Sequence, residues 1–469
     1  MKNNVVFCQS LILGLSLGSL ASAQSVQPNI VLINIDDLGW TDLSCNGSSY
    51  YETPNIDALR EAGVWFSQAY AGASNSAPSR ACMLTGQNTP RHGIFTVGSS
   101  DRGKATDRKL LTVPNRKSLP EGYQLLPRVL HNAGYQTFHV GKWHVTGNPL
   151  TCGVDVNIGG NHAGHPRRYF SPYQNANLPD GEKGEFLCDR LGKEAASLIK
   201  NADTHKPFFL YFAPYAVHTP LQAKPELIEK YKNKTKTDAH SNPIYAALIQ
   251  SMDENVGRVL LALRESGNWE NTVIIFTTDN GGVYDISRQW PLRAGKGSFY
   301  EGGVRVPMVV YQQGKYEKAE VSDLVVSQLD IFPTLMDIAG IDENNLTLDG
   351  ESLIKVLKKG KDRNLSNRPL FWHFPAYLEG GNVETTDRLF RTRPVSVVRK
   401  GDWKLIENYE TEQYELYNLA DDISEKRNLS AVCPKKVKEL ADLLNQWKQE
   451  QGAPLPPGLN PQYKEINRK

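Results

Sequence analysis

Two short apolar runs set the terms on which this chain can fold. Asn29 to Ile35 reads Asn-Ile-Val-Leu-Ile-Asn-Ile, and Val273 to Thr278 reads Val-Ile-Ile-Phe-Thr-Thr. Nearly continuous apolar runs of that length are the pattern of strands buried on both faces, as in parallel sheets covered by helices. Each run ends on side-chain oxygens, Asp36-Asp37 after the first and Asp279-Asn280 after the second. Adjacent carboxylates repel unless a cation sits between them, and hard oxygen ligands suit Ca²⁺ or Mg²⁺. A lone acidic pair can equally shape a turn or cap a helix. Recurrence is what shifts the reading. Gln136 to Val140 leads into Gly141-Lys142-Trp143-His144, and Phe208 to Phe212 leads into Pro214 to Pro220 with His218. Helical apolar spacing in Leu191 to Lys200 and Ile244 to Ser266 completes a strand–helix alternation. The expected fold class is α/β, a large doubly wound mixed sheet flanked by helices, with its site at the carboxyl ends of the strands.

A second stretch bears on chemistry: Ser76-Ala77-Pro78-Ser79-Arg80-Ala81-Cys82-Met83-Leu84-Thr85-Gly86. Pro78 fits the first turn of a helix and Gly86 is a natural stop, which puts Ser76 at a helix N-terminus. Unpaired N–H groups and the positive dipole end favour an anion there. An unactivated serine is a poor nucleophile, and on local features alone Ser76 merely caps its helix. Further on, Arg293 to Pro307 is rich in glycine. That suggests backbone held close to a ligand, with Lys296 offering a point charge to an anion.

With 469 residues there is room for one large domain and a smaller one. A net charge of +2 excludes a general polyanion-binding surface, so no nucleic-acid partner is expected. Residues 1–23 read as a cleaved export signal: Lys2, an apolar stretch from Leu11 to Leu20, then Ala21-Ser22-Ala23. No later run is long and apolar enough to cross a membrane. Five cysteines follow the leader, of which Cys152 and Cys188 could pair, though spacing leaves connectivity open. The main domain is expected over 24–385. From 386 to 469 a hairpin (Val395 to Val398, then Trp403 to Ile406), a strand (Tyr414 to Leu419) and an amphipathic helix (Pro434 to Gln451) imply a small α+β subdomain.

Taken together, and in this order along the chain, these motifs resemble the formylglycine-dependent sulfatases of the alkaline phosphatase superfamily. The resemblance rests on Asp36-Asp37, the Ser76 stretch, Gly-Lys-Trp-His ending at His144, His218, Asp279-Asn280 and Lys296 within Gly-Lys-Gly. It implies that Ser76 is oxidised to formylglycine (3-oxoalanine). It also implies that Asp36, Asp37, Asp279, Asn280 and the modified Ser76 hold Ca²⁺. Arg80 and Lys142 would stabilise the hydrated aldehyde, while Lys142, His218 and Lys296 would grip the sulfate. Asp279 would take the proton of the attacking hydroxyl, His218 with Lys296 would protonate the departing oxygen, and His144 would take the proton that frees sulfate. A serine in place of the commoner cysteine resembles bacterial members matured by an anaerobic sulfatase-maturating enzyme. With the leader, it implies a periplasmic or secreted enzyme.

The expected substrate is a sulfated polysaccharide or its oligosaccharides. Candidates for binding it are His162, Arg167 and Arg168 in the loop after His144, Arg293 ahead of Lys296, and His373 in Phe371 to Pro375. That loop can equally be a solvated surface segment. Alternatives are a phosphodiesterase or phosphonate monoester hydrolase of the same superfamily, or a non-catalytic glycan-binding relative.

Overall fold

The computed structural model describes residues 27–317, 320–385 and 387–465; the leader expected over 1–23 lies outside them. β1 (Asn29–Ile35) is buried along its whole length. Its side chains alternate between two cores, as strand geometry requires. Val31, Ile33 and Ile35 face one core, which includes the helices Leu187–Lys200 and Pro243–Glu265. Ile30 and Leu32 face the other, built partly by the helices Ser76–Thr85 and Ile331–Ala339. Burying each such side chain contributes about 1.5–3 kcal/mol, so β1 is stable only in mid-sheet.

There it pairs in parallel with β5 (Phe208–Ala213) on one side and β6 (Thr272–Thr278) on the other. β3 (Gln136–Gly141) and the short β4 (Val156–Ile158) extend the β5 side, also in parallel. On the β6 side the sheet becomes mixed. β8 (Met308–Tyr311) runs antiparallel to both β6 and β2 (Val64–Tyr70). β2 also pairs with β7 (Arg305–Val306) and, in parallel, with β9 (Glu320–Ser327). Nine strands thus form the doubly wound mixed sheet expected from the strand–helix alternation. Register places the site. Ile35 lies opposite Thr278, so Asp36 and Asp279 leave the sheet side by side, with the Asp279 N–H donating to the Ile35 carbonyl at 3.0 Å.

A second, four-stranded antiparallel sheet contains β10 (Leu370–Phe374), β13 (Val395–Lys400), β14 (Trp403–Asn408) and β15 (Gln413–Asn418). One face, including Trp372, Val397 and Ile406, meets Phe299 and Val304 of the main domain. The other, including Val398, Leu405 and Leu416, takes Leu440, Leu444 and Trp447 of the helix Pro434–Glu450. Because β10 pairs with β13, this unit begins upstream of the expected boundary at 386. Between those two strands, β11 (Leu378–Glu379) and β12 (Phe390–Thr392) form a two-stranded hairpin.

Cys152 and Cys188 do not pair; both are free. They sit in the cores on opposite faces of the sheet. Among the described residues no helix is long and apolar enough to cross a membrane.

Candidate active site

The loops leaving β1, β3, β5 and β6 at their carboxyl ends, with the N-terminus of Ser76–Thr85, converge on one cavity of about 550 Å³. Asp37 lines it, and two further carboxylates lie behind Asp37. One oxygen each of Asp36, Asp37 and Asp279 lie within 4.8 Å of one another, and all three residues are buried. Each is met by a cation. Lys142 Nζ donates to Asp36 Oδ1 at 2.7 Å, and Lys296 Nζ lies 2.6 Å from Asp37 Oδ1. Arg80 Nε donates to Asp279 Oδ2 at 2.9 Å, while its Nη1 donates to the Lys142 carbonyl at 3.0 Å. Ser76 Oγ lies 3.3 Å from both Asp36 Oδ1 and Asn280 Oδ1.

The three carboxylates are not equivalent. Burial, with Asp279 and Asp37 nearby, pushes the Asp36 carboxyl up to about 8 despite Lys142 and Arg80. Burial also acts to raise Asp279 and Asp37, but the surrounding cations outweigh it and hold both below the usual carboxylate range. Asp36 Oδ2, sealed from solvent, has no hydrogen-bond partner among the described residues. A buried carboxylate oxygen without a donor is costly. The donor set offers three carboxylates, an amide oxygen and a hydroxyl, all hard oxygens. It fits Ca²⁺, with Asp36, Asp37, Asp279, Asn280 and the side chain at 76 as ligands.

Two histidines, His144 and His218, line the same cavity. His144 is buried with its Nδ1 unpartnered, and desolvation, reinforced by Lys142 and Arg80, holds its pKa well below the ordinary imidazole value. Its φ of 66° lies in the left-handed region, which costs a non-glycine residue about 1–2 kcal/mol. His218 places Nε2 3.6 Å from Asp37 Oδ2, and its Nδ1 lies 2.8 Å from the Thr219 carbonyl. Burial lowers its pKa to about 4, with Asp37 pulling the other way.

Of the expected substrate-binding groups, His162 lies edge-on to His144 with ring centroids 6.0 Å apart. Arg167 lines a neighbouring cleft that shares His165 with the cavity, and Arg168 is exposed. Two expectations are corrected. Arg293 does not reach the cavity: its guanidinium lies over the Tyr300 ring at 3.7 Å and donates to the Glu384 and Glu425 carbonyls. His373 is also elsewhere, buried in the smaller unit between Ser396 Oγ at 2.7 Å and the Pro454 carbonyl at 2.9 Å. The carbonyl must accept from Nε2–H, and burial outweighs that bond and lowers the His373 pKa to about 4, keeping the ring neutral at pH 7. The unfolded chain takes up this proton near pH 6.5, but the folded chain resists until about 4, so His373 costs stability as pH falls through that window. The expected slope is about 1.4 kcal/mol per pH unit from this residue. A His373→Gln variant should show a flatter Tm between pH 6.5 and 4 than the parent, read by calorimetry.

From the loop after His144, His165 also reaches the cavity, stacked on His218 at 5.9 Å, and the cavity contains three residues that the sequence reading missed: Arg102, Glu379 and Arg391. Arg102 sits in a charged loop. Glu379 and Arg391 sit on strands of two and three residues, too short to show any periodicity.

Carboxylates gathered at strand ends, with two lysines facing the same cavity, suit the hydrolysis of an anionic ester. The family model described as Sulfatase matches residues 28–341, and the one described as N-sulphoglucosamine sulphohydrolase, C-terminal, matches 295–451. The chain belongs to the sulfatase family, whose enzymes hydrolyse sulfuric esters. A sulfatase of Formosa agariphila is 33% identical, covering 91% of this chain and 90% of its own length. Human N-acetylgalactosamine-6-sulfatase is 30% identical over 76% of this chain and 70% of its own. Among solved structures, Ps i-CgsB in complex with k-i-k-neocarrahexaose superposes with a TM-score of 0.75 at 29% identity, covering 92% of this chain and 95% of its own. The fold is that of the alkaline phosphatase-like sulfatases.

Proposed function

We propose that this protein releases sulfate from a sulfated glycan, using Ca²⁺ and a formylglycine made from Ser76. The observation that carries this reading is Ser76 itself. It opens a helix on the cavity floor, with its Oγ at equal distance from Asp36 and Asn280. Two similar proteins support the glycan: one is named for a sulfated amino sugar, and the other is described in complex with a carbohydrate. When present, the hydrated aldehyde would supply two hydroxyls on one carbon where a plain serine has one, and the cation would offset charge on the sulfate oxygens.

The chain's own groups do the rest. Lys142 and Lys296 face the cavity and hold the sulfate by charge. Asp279, kept ionised by Arg80 and its neighbours, accepts the proton of the attacking hydroxyl. His218 has its Nδ1–H committed to Thr219, and a bound anion raises its proton affinity, so Nε2 serves as donor to the departing oxygen. His144 is neutral at pH 7 and so is free to accept the proton whose removal releases sulfate. The preceding leader region and the serine together support export and anaerobic maturation.

Mass spectrometry of the peptide spanning Ser76, from protein co-produced with an anaerobic maturase, tests the reading. The expected peptide is lighter by two hydrogens and ordinary in a Ser76→Ala control. Unmodified serine under those conditions sinks the aldehyde mechanism. Turnover of an aryl phosphate or a phosphonate ester well above that of the matching aryl sulfate replaces sulfate as the substrate anion.

A further inference from the structure

One wall of the cavity takes no part in the chemistry above. The β11–β12 hairpin is wedged between the loop carrying Arg102 and the turn carrying Lys296. A side chain at Gly103 would run into the Phe390 ring at 2.7 Å, and one at Gly297 would meet Leu378 at 2.5 Å. Arg391 Cδ passes 3.1 Å from where a Gly297 side chain would begin, which lays this arginine alongside the Lys296 turn. Gly297, at φ 87°, is what leaves room for it.

The charges on this wall are unevenly matched. Arg102 is paired, with Nε and Nη2 donating to Glu379 Oε1 at 3.0 and 2.6 Å. Glu379 Oε2 is shielded from solvent and has no donor among the described residues. The Arg391 guanidinium makes one hydrogen bond among the described residues, Nε to the Gly380 carbonyl at 3.1 Å, and no carboxylate lies within 4 Å of it there. Its two terminal nitrogens are left as a planar fork at a cavity already equipped with lysines for one anion. A guanidinium in that state is built to take a carboxylate or sulfate through two parallel hydrogen bonds.

We infer that Arg391, seconded by Arg102, forms a second anion subsite, which takes an acidic substituent of the glycan other than the ester being cleaved. This rests on the glycan sulfatase reading. The bound substituent is a second sulfate ester or a uronate carboxylate, and Glu379 acts as the internal anion that occupies Arg102 until substrate arrives. The site therefore selects multiply acidic chains over singly sulfated ones.

The probes are disaccharides with one sulfate ester on the terminal ring and, on the neighbouring ring, a hydroxyl, a second sulfate or a carboxylate. Titrated calorimetrically into calcium-loaded Ser76→Ala protein, a doubly acidic disaccharide is expected to bind about tenfold or more tightly than the singly sulfated one. Arg391→Ala in that background brings the ratio near one, and Arg391→Lys restores part of it. Glu379→Gln moves the ratio the other way, because it frees Arg102. Whichever acidic disaccharide shows the larger ratio identifies the substituent. Equal affinity for all three, or a ratio that survives Arg391→Ala, overturns the subsite. A preserved ratio in binding, with no sulfate released from any probe by matured wild-type protein, refutes the sulfatase reading and leaves the subsite standing. Where turnover occurs, the preference should lie in KM and not in kcat.

Discussion

Protein carrying Ser76→Ala is expected to release sulfate about ten-thousandfold more slowly than the matured parent, or not at all. The reason is specific to what position 76 supplies. Lys142, Lys296 and Arg80 are anchored by Asp36, Asp37 and Asp279, not by the serine, so their arrangement should survive the change. The hydroxyl's own contacts are long, 3.3 Å to Asp36 and to Asn280. Its removal should cost folding stability only about 1 kcal/mol. A large loss of rate with a nearly unchanged Tm and retained anion binding is therefore the signature of a lost nucleophile. A variant that keeps more than about a tenth of the parent's rate would show that the attacking group lies elsewhere.

Stripping divalent cation from the protein should have the next largest effect, on stability as well as on rate. Without a cation, burial drives Asp36 towards its protonated form, with a pKa of about 8, and leaves its second oxygen unsatisfied. A ligand held a thousandfold above its Kd stabilises the fold by about 4 kcal/mol, and chelation withdraws that amount. The proton and the cation compete for Asp36. Below pH 8 each cation bound should expel up to one proton, so apparent affinity should rise with pH until about 8 and then level off. Calorimetric titration of Ca²⁺ in buffers of different ionisation enthalpy measures that proton directly. Affinity independent of pH between 6 and 8 would mean that Asp36 is already ionised in the empty site.

The groups that sequence reading located are those attached to strong local patterns. Asp36, Asp279, Lys142 and His218 each follow a run apolar enough to be placed in a covered sheet, and the sheet's register then brings them together. The hairpin wall escaped because its strands are too brief for alternation and its glycines read as loop. His373 misled for the opposite reason. A histidine among aromatic residues on a strand looks the same whether it faces a cavity or, as here, a serine and a carbonyl in the interior. The free cysteines make the same point, since spacing along the chain does not tell on which face of a sheet each thiol falls. Local pattern reports what an element is, while the partner across the fold decides what its polar groups are for.

All ten residues of the helix Ser76–Thr85 are buried, and Ser76 itself is 1% exposed. A small ester reaches that side chain through the cavity, but another macromolecule finds no edge of the helix to grasp. Any enzyme that alters Ser76 must therefore act while the segment is still an unfolded strand of polypeptide. Maturation and collapse of the chain then become competing clocks. On the proposed reading, the active fraction of a preparation is set before the chain folds, and slowing its collapse should raise it.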